Sequence, residues 1–589
     1  MTYRDEQQGD EIGWSAPSAN TDVPFAANIS NNTTAAATMT AMSSDILPHL
    51  VPPTEDEATM YYSAFPSTPR LLGRTSAGIR PWSLRILHPG PFTTYQHLVM
   101  SPIGQHPILH IWDNVEPHIV SAISALPWTS VDVWRIGNND LQPQERPVVV
   151  WVGIPRHQAE NVHWDIIAHV LRSCRAVLDA AGLPDVEVEL RTSDVIQLLA
   201  DNNSGTGSDS APEVLDPAKQ VDFPDVMKPF TTAIGQPIFP MERDTMTGTL
   251  CVFLQPTKRA AGGDDTTRQL WALSCRHVVF PNVLYRENLH YDATSFSAAS
   301  GRKAIASPRQ HDVEAAMDSL ASLAEFSNKF LTTDTQHTTQ TSLLREQLNL
   351  AAATKLQQRL RPFENSAARV IGKVLLSPPI GVGGSDGDGR RQQPWTRDWA
   401  LIQLDKARYP TAACGRLMNQ VDLRTSDSQY PTKLRRLLNP KPANTVRFEY
   451  PESGLLRIHG MIPVAEMKSP KMLDKDDEES ILVGKYGATT GLTWAAASEI
   501  LSMVRHYLPD GGSLQSREWA VKGSLHDRSK LFSQAGDSGA AVFDIEGRFG
   551  GMLTRGAGIS GAIDVTYVTP AEWLLADIER HLGVEMELL

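Results

Sequence analysis

The apolar residues of this chain come in strand-length bursts rather than in long runs. The most concentrated burst, PVVVWVGI from Pro147 to Ile154, is long enough for a buried β-strand and far short of the roughly 20 residues a helix needs to cross a bilayer. Such a chain must bury short β-segments against one another, and its 589 residues supply enough length for more than one core. With 40 Gly and 40 Pro, turns between segments are plentiful. A content of 41% hydrophobic and 21% charged residues excludes collagen-like and wholly disordered chains.

Lys and Arg number 54 against 67 Asp and Glu, a net charge of −13 at pH 7. The molecule as a whole therefore repels nucleic acid and anionic membranes, and no local basic patch offsets this, so neither is expected as a partner. Four cysteines, Cys174, Cys251, Cys275 and Cys414, are too few for a disulfide framework and lack paired metal-ligand spacing. The opening MTYRDEQQGDEIGW is acidic and polar where a secretory signal has a positive region followed by an apolar one. The expectation is an intracellular, cytoplasmic protein in a reducing compartment, with nuclear entry left open.

Residues 1–60 mix Asn, Thr, Ala, Ser, Pro and acidic residues without a sustained period, and read as a disordered tail. Residues 61–200 read as an α/β domain of unknown role. Within it, strands are expected over Ser130–Ile136 and Arg146–Ile154, then a helix over Asn161–Ala181 with Val162, Ile166, Val170, Cys174 and Val177 as its stripe, then alternation at Val186, Val188 and Leu190. His157 and His169 lack an accompanying Cys/His cluster and read as surface or satisfied histidines. Residues 201–225 are polar and rich in Gly, Ser and Pro, a linker by composition. From 226 to 589 short strands dominate, such as Thr249–Leu254 and Leu270–Ser274 around a Gly-Gly-Asp-Asp loop. One change to helical period, over 312–360, reads as an inserted helical hairpin: Val313, Met317, Leu320 and Ala324 form one stripe, and Leu344, Leu348, Ala352, Leu356 and Leu360 the other. Strands resume at Ala368–Leu376, and a Gly/Asp-rich loop follows at Gly381–Arg390.

Three residues in this second region suit nucleophilic acyl transfer: His277 in LWALSCRHVVF, Asp398 in RDWALIQL, and Ser538 in SQAGDSGAAVF. A serine hydroxyl needs an imidazole to accept its proton and a carboxylate to hold that imidazole in the right tautomer. Glycines bounding Asp537-Ser538 let the amides of Gly536 and Ser538 face one point, where the oxygen of a tetrahedral intermediate would sit. Asp537 would then turn inward to hold the loop. The order His, Asp, Ser differs from that of an α/β-hydrolase, whose nucleophile motif also differs.

With these three contexts in order, residues 230–577 resemble the trypsin/chymotrypsin-like serine peptidases. The resemblance implies a chymotrypsin-like double β-barrel, so that the whole chain would be an N-terminal α/β domain followed by that barrel with a helical insertion. It implies His277 as general base, with Arg276 where alanine is usual, Asp398 as the orienting acid, Ser538 as nucleophile, and Gly536 and Ser538 as the oxyanion hole. GGMLTRG resembles the strand that lines the primary pocket, placing Thr554, Arg555 and Gly556 at its border, and the residue six before the nucleophile, Phe532, at its base. A phenyl ring there disfavours cleavage after Lys or Arg. The long His277-to-Asp398 interval is accounted for in large part by the helical segment and the Gly/Asp-rich loop. Beyond Asp398, Thr445–Tyr450, Leu455–Ile462 and Ile481–Gly484 are candidate strands.

The function so implied is an intracellular serine endopeptidase acting on peptide or protein substrates through an acyl-enzyme, with neither metal nor organic cofactor. The alternative is an inactive or conditionally active peptidase-like scaffold that holds a protein partner through its N-terminal domain or helical insertion. An esterase using the same chemistry is a third class. Other polar residues read blandly: Asp405 as a turn acid, Cys275 as a small buried hydrophobe, His290 and His311 as unpaired, Lys485 as a barrel-edge residue, and Lys471–Glu479 as a solvated acidic loop.

Overall fold

Val148–Ile154 is buried at every position, as a strand covered on both faces requires. It runs antiparallel to Ser130–Asn138, with Ser130 opposite Gly153, and parallel to Glu187–Thr192, with Val149 opposite Glu187. A parallel pair needs a crossover, and the helix Trp164–Ala180 supplies it. That helix buries Ile167, Val170, Leu171, Cys174 and Leu178. Of the stripe read from the sequence, Val170 and Cys174 lie on this face and Val177 packs partly buried against the same core, whereas Val162 precedes the helix and Ile166 is exposed. We describe a computed structural model covering residues 50–88, 94–201, 214–218, 222–243, 246–257, 269–281, 288–293, 302–333, 339–383, 394–409, 417–474, 477–507, 512–524 and 531–589. Of the expected tail, residues 1–49 lie outside these, and Glu55–Met60 form a short helix capped by Thr54. Most of the expected linker, the Gly-Gly-Asp-Asp loop, most of the Gly381–Arg390 loop and Cys414 also lie outside them.

The expected architecture, an α/β domain followed by a double β-barrel, is corrected by the strand pairing. Ser130 and Val131 pair with Val504 and Met503 of the long strand Gly491–Tyr507. The α/β strands thus continue into Leu482–Gly487, Ala541–Asp544, Arg548–Ile559, Ala562–Pro570 and Ser513–Ser524 as one 13-stranded sheet. A second, 10-stranded sheet includes Phe253–Pro256, Trp271–Ser274, Ala400–Leu404, Val370–Ser377, Pro237–Pro240 and Met246–Thr249. The result is a mixed α/β architecture of several sheets, in which the α/β strands are part of the C-terminal sheet rather than a domain set before a double barrel. Periodicity reports which face of a strand is buried but not which strand lies beside it, and the bridging strand is disguised. Its AAASEILSM run favours a helix, yet Thr493 to Val504 are buried in extended conformation, a tertiary override of local preference. Of the candidate strands in this interval, Leu455–Arg457, His459–Met461 and Leu482–Gly487 form, whereas Thr445–Tyr450 contains none.

Gln310–Thr332 and Gln340–Leu360 are helices. Val313, Leu320, Leu356 and Leu360 pack in a cluster with Met227, Phe230 and Phe363, while Leu344 and Leu348 face solvent. No helix among the described residues is long and apolar enough to cross a membrane.

One buried polar group joins the α/β strands to the C-terminal ones. Asp132 accepts hydrogen bonds from Ser502 Oγ at 2.7 Å and from the Tyr567 hydroxyl at 3.0 Å. It also lies 3.5 Å from the fully buried guanidinium of Arg191, which stacks on Trp151. Removing a carboxylate that neutralises a buried cation costs roughly 3–5 kcal/mol. Asp132→Ala is therefore expected to lower the unfolding free energy by about that amount in urea denaturation. Because the sheet is shared, tryptophan signals from the α/β strands and the C-terminal strands should shift together.

Candidate active site

Trp271–Ser274 and Ala400–Leu404 are antiparallel neighbours, with Ser274 opposite Ala400. The residues leaving one strand therefore meet those entering the other. Arg276 N donates to the Asp398 carbonyl at 3.1 Å, His277 N donates to Asp398 Oδ1 at 3.1 Å, and His277 Nδ1 lies 2.7 Å from Asp398 Oδ2. Both side chains are fully buried. Burial by itself pushes the Asp398 carboxyl up, but the charge and hydrogen bond of His277, aided by Arg555, prevail and hold it well below the ordinary carboxylate value. Nδ1 faces the carboxylate of Asp398, which leaves Nε2 as the ring nitrogen turned away from it. Nε2 is buried and has no hydrogen-bond partner among the described residues.

The turn around Ser538 is held from inside. Gly536 and Gly539 adopt φ of +100° and +93°, and a Cβ at Gly539 would stand 2.2 Å from the Thr249 carbonyl oxygen. The buried Asp537 carboxylate accepts from Gln534 N at 3.0 Å, Thr489 N at 2.9 Å and Thr490 Oγ1 at 2.6 Å. Lys485 Nζ stands 3.3 Å from it. Lys485 is thus a buried counter-charge beneath the loop rather than an edge residue, and burial lowers its pKa. Thr249 N donates to the Ser538 carbonyl at 2.8 Å, tying the turn to the sheet that carries His277.

Ser538 Oγ donates to the Thr554 carbonyl at 3.2 Å and accepts from Leu198 N at 3.1 Å. Next to Thr554, the guanidinium of Arg555 reaches Asp398 Oδ2 at 3.5 Å. Ser538, Thr554, Arg555, Asp398 and His277 thus form one continuous set of contacts, although no hydrogen bond joins Ser538 Oγ to His277. The expected oxyanion-hole amides converge: Gly536 N and Ser538 N both donate to the Leu198 carbonyl, at 2.6 and 3.2 Å. Leu198 was missed in the sequence because its surroundings, TSDVIQLLAD, form no catalytic motif. The only local signal was an apolar pair, Leu198-Leu199, at the end of a strand-like run.

The expected pocket residues are distributed unevenly. Phe532 is buried in an apolar cluster that also holds Leu198, Ala540, Leu553 and Ile563. Arg555 turns to Asp398. A Cβ at Gly556 would stand 2.7 Å from Ile563, so its missing side chain makes room for that neighbour. Asp405 caps a short 3-10 turn through Ala407 N. Cys275 is buried, with Sγ 3.3 Å from the Leu553 carbonyl. Arg276 donates to the Ser377 carbonyl and hydroxyl, both at 3.0 Å.

No protein-family model matches the chain, and no curated protein does. Among solved structures, one match covers 61% of this chain and all of the other, at 11% identity and a TM-score of 0.25. It is described as a glutamic acid specific serine protease that uses a histidine triad in substrate binding. This is a weak, partial likeness to a serine-protease-type fold, and at that TM-score it carries no argument about residues or substrate.

The depressed Asp398 carboxyl has a pH consequence. Its folded pKa lies below the unfolded value, so the unfolded chain takes up the proton first as pH falls. The stability it contributes is complete above the ordinary carboxylate range, near pH 4 to 5, and is lost as pH drops through the folded value. The Tm gap between the parent chain and Asp398→Asn should therefore be constant from neutral pH to about 5, begin to narrow below about 4 and close only well below that. A gap that closes on moving from pH 5 to 8 would reject the assignment.

Proposed function

We propose that the chain is a serine endopeptidase of trypsin/chymotrypsin-like character. Ser538 is the nucleophile, His277 the general base through Nε2, and Asp398 the carboxylate that fixes the imidazole. The amides of Gly536 and Ser538 stabilise the oxyanion. The observation that carries this reading is the convergence of those two amides on a single carbonyl oxygen beside a serine hydroxyl, a geometry suited to a developing negative charge. The buried His277–Asp398 pair supports it, because an imidazole oriented by a carboxylate is the base that acyl transfer uses. Substrates are peptides or proteins, and the apolar setting of Phe532 favours an apolar residue before the scissile bond.

A conditionally active form has its own support. Ser538 Oγ is engaged by Leu198 N and the Thr554 carbonyl rather than by His277, so turnover of an external peptide requires residues 194–199 to yield the site.

Ser538→Ala should abolish labelling by a fluorophosphonate and remove peptide hydrolysis while leaving the fold intact. Asp398→Asn should lower turnover by about 10⁴, the loss documented for the corresponding change in trypsin. Undiminished hydrolysis by pure, folded Ser538→Ala would remove the reading. A peptide-library profile dominated by Lys or Arg before the cut would reject the pocket assignment while leaving the mechanism standing.

A further inference from the structure

The segment from Asp194 to Asp201 crosses the candidate site as an extended strand. On one side Asp194–Gln197 pairs antiparallel with Arg548–Ile559, Gln197 opposite Arg555 and Ile196 opposite Gly556. On the other side Ala200 and Asp201 pair with Thr247 and Met246. Between these two ladders lies the Leu198–Leu199 peptide bond. Its carbonyl oxygen receives the two converging amides, Gly536 N at 2.6 Å and Ser538 N at 3.2 Å. Leu198 N donates to Ser538 Oγ at 3.1 Å, and the Leu198 side chain is fully buried in the apolar cluster with Phe532.

A strand serving only to complete a sheet exchanges its N–H and C=O with the next strand. Here, at Leu198, that exchange gives way to a glycine-bounded turn and a serine hydroxyl. Backbone pairing along an edge, combined with a pocket for one side chain, is the way extended peptides are recognised. Held on both sides and polarised at its carbonyl, this bond is placed as a substrate in the same polypeptide.

We propose that the chain cleaves itself between Leu198 and Leu199, an inference that rests on the serine-peptidase reading. Ser538 Oγ attacks the Leu198 carbonyl carbon while His277 Nε2 takes the hydroxyl proton, and the Gly536 and Ser538 amides hold the resulting oxyanion. The C–N bond to Leu199 then breaks, and His277 returns the proton to the departing amine. This leaves an ester between Leu198 and Ser538 and a new amino terminus at Leu199. Water, deprotonated by His277, hydrolyses the ester to a Leu198 carboxylate and restores Ser538. The two products stay together, because Ser130 and Val131 pair with Val504 and Met503, Asp132 holds Ser502 and Tyr567, and Ser67 N donates to Asp564 at 2.9 Å. The substrate class that follows is a peptide with leucine before the scissile bond.

The test follows the full chain by intact mass and by amino-terminal sequencing of fragments, in the parent protein, Ser538→Ala and Leu198→Asp, with a fluorophosphonate probe as a separate readout. The parent chain should yield co-purifying fragments 1–198 and 199–589, the second beginning Leu-Ala-Asp, with a rate constant unchanged on dilution. Ser538→Ala should stay whole even when mixed with the parent chain. Leu198→Asp should be cut about 10²-fold more slowly or not at all, since a carboxylate would have to enter an apolar pocket, and its Ser538 should label more readily. An uncut parent chain beside a Leu198→Asp chain that labels at Ser538 would overturn self-cleavage and leave the peptidase reading standing. Labelling in neither would remove both. Cutting of Ser538→Ala alone would assign the break to another peptidase, and cutting of it by added parent chain would overturn the intramolecular route.

Discussion

The pairing of Asp194–Gln197 with the strand Arg548–Ile559 is the constraint on which the rest of this molecule turns. It seats a strand from the N-terminal third of the chain against the strand that carries Thr554, Arg555 and Gly556. Once there, Leu198 can only enter the turn around Ser538. Full burial of a leucine side chain contributes roughly 2 kcal/mol, and the backbone ladders on both sides fix the extended conformation around it. The contact of Val131 with Met503 extends the same continuity through the α/β strands, which is why that region cannot be described apart from the C-terminal sheet.

Buried charge around the site is arranged in pairs. Asp398 faces His277 and Arg555, and Asp537 faces Lys485. Each carboxylate also takes backbone or hydroxyl hydrogen bonds, which offset the desolvation that would otherwise make a buried ion unfavourable. The two pairs serve different ends. Lys485 and Asp537 hold the glycine-bounded loop in shape from beneath. His277 and Asp398 leave one imidazole nitrogen without a partner among the described residues, and an uncommitted ring nitrogen is a chemical resource rather than a structural need.

Much of the site was legible because its residues stand in short local contexts. His277 follows a buried strand and Asp398 precedes one, so antiparallel pairing of those strands was sufficient to bring them within 2.7 Å. The inward turn of Asp537 followed from the need to support a tight loop. Lys485 was harder to place, because a lysine in a strand reads as exposed unless the carboxylate that neutralises it is known, and that carboxylate lies elsewhere in the sequence. The helix Trp164–Ala180 was readable as a helix with Val170 and Cys174 inward, but not at its first turn, since Ile166 and Ile167 are equally apolar and only the packing decides which one faces inward.

The sequence by itself determined the residue chemistry: a histidine, an aspartate and a serine in strand and turn contexts, glycines where φ is positive, and apolar bursts of strand length. Local patterns carry this information because periodicity and turn preference depend on near neighbours. Only the tertiary structure decided that the α/β strands and the C-terminal strands join in one shared sheet, and that Leu198 lies against Ser538 across 340 residues of chain. Backbone amides and carbonyls are alike in every strand, so hydrogen-bond pairing leaves no mark in the sequence of either partner. The choice is made by the packing of the whole.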